Sequence, residues 1–206
     1  MTTMRLTVLL QLSLVMCGVQ HSLGQLVKTG QCPSVSVKQD FDVNRYLGTW
    51  YQYATFGTRL FQGEGRCVTA RYTLNTTTGG IDVFNSQIPK EGTFPSMSSI
   101  KGTAELADPH NIEGKLIVTF PAPVIRSIRA PYWVLDTDYD SFAVVYSCVD
   151  ARLAHALSGW ILTRVQDVDH SPQDKARLEA KVAEVLTEAN LPRSLFVITD
   201  QGNCDR

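Results

Sequence analysis

The sequence predicts an all-β domain: an eight-stranded antiparallel up-and-down barrel with one C-terminal α-helix packed on its outside. Three observations carry this. Between residues 48 and 164 apolar side chains recur mostly with period two, in eight runs separated by turn residues. Only one stretch, residues 172–189, changes to helical spacing. A chain of 206 residues, 44% hydrophobic with net charge −1, has material for one well-buried core and no electrostatic footprint for nucleic acid.

The elements follow in order. Residues 1–24 read as a secretory signal peptide, because residues 6–16 are a short apolar run behind Arg5, and Ser22 and Gly24 offer a cleavage site. That run is about half of the roughly 20 residues a spanning helix needs. The rival is a lipid anchor on Cys17, but bulky Met16 stands where a small residue normally precedes such a cysteine. The mature domain is then residues 25–206.

The first strand starts at Trp50, within the ring-rich stretch NRYLGTWYQYA. In the second, Val68, Ala70, Tyr72 and Leu74 share a face and Thr69, Arg71 and Thr73 take the other. Ile81, Val83, Asn85 and Gln87 share a face of the third; Ile100, Gly102, Ala104 and Leu106 of the fourth; Leu116, Val118 and Phe120 of the fifth. Runs at 132–136, 142–148 and 160–164 complete the eight. Closure into a barrel removes exposed edges, with a two-sheet sandwich as the alternative. Ser171 then caps a helix with Pro172 at its first position and Asp174 in its first turn. Leu178, Val182, Val185, Leu186 and Ala189 form its apolar stripe, and Leu191-Pro192 ends it. A last extended piece brings Cys204 back to the barrel.

Once the signal is removed, Cys32, Cys67, Cys148 and Cys204 remain, none in a CxxC pair, and in an oxidising compartment they read as two disulfides with three pairings open. Bridges that close loops of about 100 residues stabilise by roughly 4 to 5 kcal/mol each on chain-entropy grounds. Asn75-Thr76-Thr77, beside Gly79 and Gly80, is a glycosylatable turn. On the inward faces, small Ala70, Gly102 and Ala104 and uncharged polar Asn85 and Gln87 fit an apolar pocket with a few orienting groups. The competing arrangement places Asn85 and Gln87 in solvent at a strand end.

Gly48-Thr49-Trp50, Thr137-Asp138-Tyr139 and Trp160-Ile161-Leu162-Thr163-Arg164 resemble, in order and separation, the three signature motifs of the lipocalins. The stretches DFDVNRYLGTWY, APYWVLDTDYDSFAVVYSC and WILTR look most like the apolipoprotein D-like branch, with lazarillo, the insecticyanins and the crustacyanins. The resemblance implies that first and last strands pair, bringing Arg164 over Trp50 at the closed end, a contact favourable by roughly 0.5 to 2 kcal/mol. Gly48 then leaves room for the chain to cross beneath. It also implies the pairings Cys32 to Cys148 and Cys67 to Cys204, and a ligand cavity lined by Tyr72, Asn85, Gln87 and Trp160. Gln87 stands where that branch has an acid, and Asp150 where a member carries an extra cysteine used to join another protein, so no covalent partner is expected by that route.

The function this implies is an extracellular carrier that buries a small hydrophobic ligand, such as a fatty acid, a sterol-like lipid or a tetrapyrrole. A pigment carrier for coloration and a protein-binding module with a filled barrel are the alternatives. Phe56, Leu60 and Phe61 are expected near the mouth as a lid. Val124, Ile125 and Ile128, with Arg126 and Arg129, suggest a peripheral membrane or lipoprotein contact. Catalysis is not expected. An enzymatic lipocalin uses a free thiol, whereas all four cysteines here are committed, and no GxSxG elbow is present. Neither a cofactor nor a metal is implied. His21, His110, His155 and His170 lack ligand spacing, and Asp136, Asp138 and Asp140 lack the glycine and glutamate of a calcium loop, with Ser141 and Ser147 in their places.

Overall fold

The computed structural model describes residues 26–92, 98–122 and 126–204. The signal peptide reading, Cys17, and Val124 and Ile125 lie outside the described residues, as does the side chain of Leu60.

Eight consecutive antiparallel strands form the wall: β2 (Gly48–Phe56), β3 (Gly65–Leu74), β4 (Ile81–Pro89), β5 (Ser99–Leu106), β6 (Lys115–Ala122), β7 (Arg126–Thr137), β8 (Phe142–Ala151) and β9 (Ala154–Thr163). Each pairs with the next, and β9 returns to β2 through Tyr51 opposite Thr163 to Phe56 opposite Gly159. The sheet is thus a closed barrel. Two short strands flank the seam: β1 (Leu26–Thr29) extends along β9, and β10 (Val197–Ile198) along β2. A helical turn, α1 (Val43–Tyr46), leads into β2, a second, α2 (Arg59–Gln62), sits in the β2–β3 connection, and the main helix, α3 (Pro172–Glu188), follows the barrel. Ser171 caps α3 by accepting from the Asp174 N–H, with Pro172 in the first turn.

The described residues form two apolar clusters. One fills the barrel and contains Trp50, Tyr72, Val83, Ala104, Leu116, Tyr132 and Leu162. The other lies between the outer wall and α3, where Leu178, Val182, Val185 and Leu186 meet Tyr53, Phe142, Val144 and Ile161. A strand covered on both sides reads as a continuous apolar run rather than an alternation, as residues 142–148 of β8 do, all buried.

Bulges break the period at three places: Tyr53, the Cys67–Val68 pair, and Leu135. The first corrects an expectation. Phe56 does not guard the mouth; it is 6% exposed, packs in the outer cluster, and its ring meets Phe196 edge-on at 4.7 Å. Leu74, expected to share the inward face of β3, is 47% exposed at the strand end. Gly102 does not leave free space either, since a Cβ there would lie 2.5 Å from the Phe120 ring, which already occupies the position.

The ladder between β2 and β3 is short. It runs from Gly48 opposite Tyr72 to Tyr51 opposite Thr69 and stops. Beyond it, β10 takes the edge of β2, and the C-terminal segment fills the split. The Thr199 N–H bonds to Tyr53 O (2.9 Å), and the Cys67 N–H to Asp200 O (2.8 Å). The Gln201 side-chain amide donates to both Gln52 O and Val68 O, at 3.0 and 2.9 Å, replacing a missing rung. Cys67 is bonded to Cys204, anchoring this segment, and Cys32 to Cys148, anchoring the N-terminal one.

Candidate functional site: the barrel interior

The base is built first. Gly48 adopts φ +99°, and a Cβ on it would lie 3.2 Å from an Arg164 nitrogen, so glycine lets the guanidinium approach. That guanidinium is centred 3.7 Å over the Trp50 ring. It donates to Tyr139 O, Thr49 O, Arg45 O and Leu47 O, each at 2.9 Å, so one side chain gathers the N-terminal turn, β2 and the β7–β8 turn. Trp50 is fully buried and donates its indole N–H to Tyr46 O (2.9 Å). Thr137 and Asp138 shape the turn. The Thr137 hydroxyl donates to Phe142 O and accepts from the Tyr139 N–H. Burial pushes the Asp138 carboxyl up, but bonds from the Ser141 hydroxyl and the Ser141, Phe142 and Asp140 N–H groups outweigh it and hold it below the usual carboxylate range. The Tyr139 hydroxyl accepts from the Asp42 N–H. These motif residues close the bottom.

Above the base stands a chain of phenols. The Tyr132 hydroxyl lies 2.9 Å from that of Tyr46 and 2.8 Å from that of Tyr72. Burial pushes Tyr72 up to about 12, and Tyr46 and Tyr132 well above the ordinary phenol range, so all three stay protonated at physiological pH. Three hydroxyl protons serve two contacts, so one is not used within the trio. The Tyr132 ring also stacks on Trp160, centroids 6.2 Å apart.

Nearer the mouth lie the amides. Asn85, opposite Ala70 on β3 and Ile100 on β5, has its Oδ1 buried without a hydrogen-bond partner among the described residues. Gln87 also turns its amide oxygen out of solvent and donates its Nε2 to Gln62 O (2.7 Å). Both therefore face inward rather than solvent. Gln62, at the end of α2, reaches across: its Oε1 accepts from the Trp160 indole (3.2 Å) and its Nε2 donates to Gln52 Oε1 (2.9 Å). Phe61, 42% exposed, lies 6.2 Å from the Trp160 ring. The structure thus brings Tyr72 and Trp160 together through Tyr132, and Trp160 and Gln87 together through Gln62.

Three contributors were not legible in the sequence: Tyr46, Gln52 and Gln62. Tyr46 belongs to a helical turn ahead of the strands, outside the period-two pattern. Gln62 lies in a loop, where a polar residue carries no signal. Asn75 sits in the β3–β4 turn at the closed end, its Oδ1 accepting from the Thr77 and Thr78 N–H groups.

An aromatic-walled barrel, sealed at one end and carrying a few neutral polar groups inside, has the lining of a small-molecule site. Residues 41–185 match the lipocalin-like domain family, and the chain belongs to it. It is a binding protein and not an enzyme. Apolipoprotein D of Cavia porcellus is 32% identical over 197 residues, which span 95% of this chain and 96% of the relative. The lazarillo protein of Schistocerca americana is 33% identical, over 85% of this chain and 76% of its own. Among solved structures, insecticyanin of Manduca sexta superposes with TM-score 0.69 at 26% identity, covering 86% of this chain and 89% of that one. Lobster apocrustacyanin A1 does so with TM-score 0.62 at 26% identity, over 86% and 92%.

Proposed function

We propose that the protein is a secreted carrier that holds one small hydrophobic ligand in the barrel, between the tyrosine trio and Gln62, with Tyr72, Asn85, Gln87 and Trp160 touching it. The observation that carries this is the Asn85 Oδ1: a buried acceptor without a partner costs about 1 to 3 kcal/mol, a cost that a ligand donor removes. Apolar surface leaving water supplies the rest of the affinity, at about 25 cal/mol per Å² before ordering costs. Because Gln87 is neutral, the head group it meets is selected by hydrogen bonding and not by charge. A sterol-like alcohol, whose hydroxyl can donate to the Asn85 Oδ1, suits this better than a free carboxylate.

The test is native mass spectrometry, with solvent extraction, of protein taken from its own source. A bound species of a few hundred daltons is expected. An empty barrel that also ignores fatty acids, sterols, retinoids and bilins would refute the carrier reading and favour a protein contact. The pigment reading is separated in the same extract by a visible absorption band. Secretion predicts a mature chain beginning near Gln25, read by N-terminal sequencing, and a mass shift on deglycosylation at Asn75.

A peripheral contact with a membrane or lipoprotein belongs to the same proposal. Ile128 is 48% exposed, with Arg126 and Arg129 exposed on the same strand, and Arg129 is paired to Glu105 at 2.8 Å. Flotation with anionic vesicles should recover the protein, and Ile128→Asp should reduce that recovery. No described helix is long and apolar enough to cross a membrane.

A further inference from the structure

The split between β2 and β3 opens onto a cleft of about 830 Å³ on the outside of the barrel. Its walls are unlike. On one side β10 offers Val197 and Ile198, 70% and 52% exposed, beside Thr55; on the other, Ile88 and Pro89 end β4. The floor includes Gln52 and Gln62, and Gln62 also accepts from within, through Oε1 from the Trp160 indole and through its backbone oxygen from Gln87. Cleft and interior therefore meet at the Gln52–Gln62 pair, which is joined by a side-chain hydrogen bond of 2.9 Å.

We propose that this cleft is the vestibule through which the hydrophobic cargo enters and leaves the barrel sideways, with the Gln52–Gln62 pair as its gate. The inference rests on the carrier reading above. The cleft meets the interior at this pair of amides, Val197, Ile198, Ile88 and Pro89 give it an apolar strip within a rim charged by Arg59, Glu64, Arg66 and Lys90, and its volume falls in the range that holds one small ligand. Among the described residues no ladder joins β10 to β3 here: β10 pairs with β2, and the C-terminal segment reaches β3 at the next residues, where the Cys67 N–H bonds to Asp200 O and the Gln201 amide to Val68 O. Opening the gate exchanges side-chain hydrogen bonds for bonds to water and leaves the backbone pairing intact. The two amides are not equivalent. Gln52 stays held by the Thr199 hydroxyl, to which its Nε2 donates at 2.8 Å, and by its place in β2. Gln62 rides on the four-residue α2, which lies between Gly57 and Gly63, with φ +69° and +75°. The moving half is α2, and the two glycines are its pivots.

Portal residues and binding residues differ kinetically. Narrowing the passage that the cargo uses slows entry and exit together and leaves the dissociation constant alone, whereas damaging the site changes affinity. The experiment is stopped-flow uptake and release of Nile red, a neutral fluorophore, by the full mature chain. Ile198→Trp, at an exposed position on the cleft wall, is expected to slow both rates about tenfold with the dissociation constant within about twofold of wild type. Gln62→Ala is expected to raise both rates about fivefold or more. Ile128→Trp, at the mouth rim, is expected to change neither. Uptake and release indifferent to Ile198→Trp, or a change in affinity carried by one rate only, would overturn the side route while leaving the carrier reading standing. Failure of the wild-type chain to take up Nile red or any extracted lipid would overturn both.

Discussion

Replacing Arg164 by methionine tests how the barrel base is held. The substitution keeps the length of the stem and removes the guanidinium, and with it four hydrogen bonds of 2.9 Å and the contact over Trp50 at 3.7 Å. The bond to Arg45 O lies at an exposed position, and water is expected to replace it and to reach Leu47 O as the short turn relaxes. The bonds to Thr49 O and Tyr139 O are half-buried, and their loss costs about 1 to 1.5 kcal/mol each. The indole contact adds about 1 to 2 kcal/mol in a largely dry site. The expected destabilisation is therefore about 4 kcal/mol, or roughly 8 to 16 °C in Tm for a domain of this size. Urea unfolding followed by tryptophan emission, with both disulfides intact, reads it directly. Arg164→Lys keeps a charge near the ring but cannot fork to several carbonyls, so it should lose about half as much. A loss below about 1 kcal/mol for Arg164→Met, with unchanged slope, would show that Arg164 does not hold the base.

Three further outcomes are expected. The Glu179 carboxylate is held below its usual range, first by its paired bonds from Arg193 and despite partial burial, with the Tyr53 hydroxyl adding a third. A depressed carboxyl stabilises above its unfolded pKa of about 4.3 and loses that contribution as pH falls through the lower folded value. Urea midpoints should therefore drop in acid, and less so for Glu179→Gln; equal acid sensitivity in the two proteins would exclude this pair as a cause. Tyr46, Tyr72 and Tyr132 act at the other end of the scale. Their raised pKa values mean that the unfolded chain loses protons first, so stability falls as pH rises past about 10. Phenolate absorbance should then rise in step with unfolding, whereas smooth titration of all seven tyrosines in a folded protein would contradict the buried trio. Finally, Asn85→Leu removes a buried acceptor and should stabilise the empty protein by about 1 kcal/mol while weakening a hydroxyl-bearing ligand about tenfold; unchanged affinity would remove Asn85 from the ligand contacts.

The strands were legible because one physical fact, a wall with two different sides, writes itself into alternate residues. Where both sides are covered, as at Val144 and Val145, that signal weakens to a plain apolar run, but its length and flanking turns still mark it. The Ser171 cap was legible because it is local. What was lost depends on distant partners. The bulges at Tyr53 and Cys67–Val68 lie where α3 and the C-terminal segment press on the wall, and no window around residue 53 or 67 contains Glu179 or Asp200. The inward Asn85 and Gln87 were reached by period and by resemblance together. Gln62, the partner of Gln87, was not, because its role comes from where α2 lies over the mouth.

The filling of the β2–β3 split by residues 197–204 also decides when the molecule can be finished. Tyr53, Cys67 and Val68 obtain their partners from Thr199, Asp200 and Gln201, more than 130 positions further along the chain. During synthesis the wall must therefore wait, incompletely sealed, until residues 199–201 have emerged. Cys67 waits with it while Cys32 and Cys148, exposed earlier on the growing chain, offer themselves as wrong partners. In oxidative refolding, correct pairing of Cys67 is therefore expected to wait on the docking of residues 197–204 and to be accelerated by a thiol-exchange catalyst.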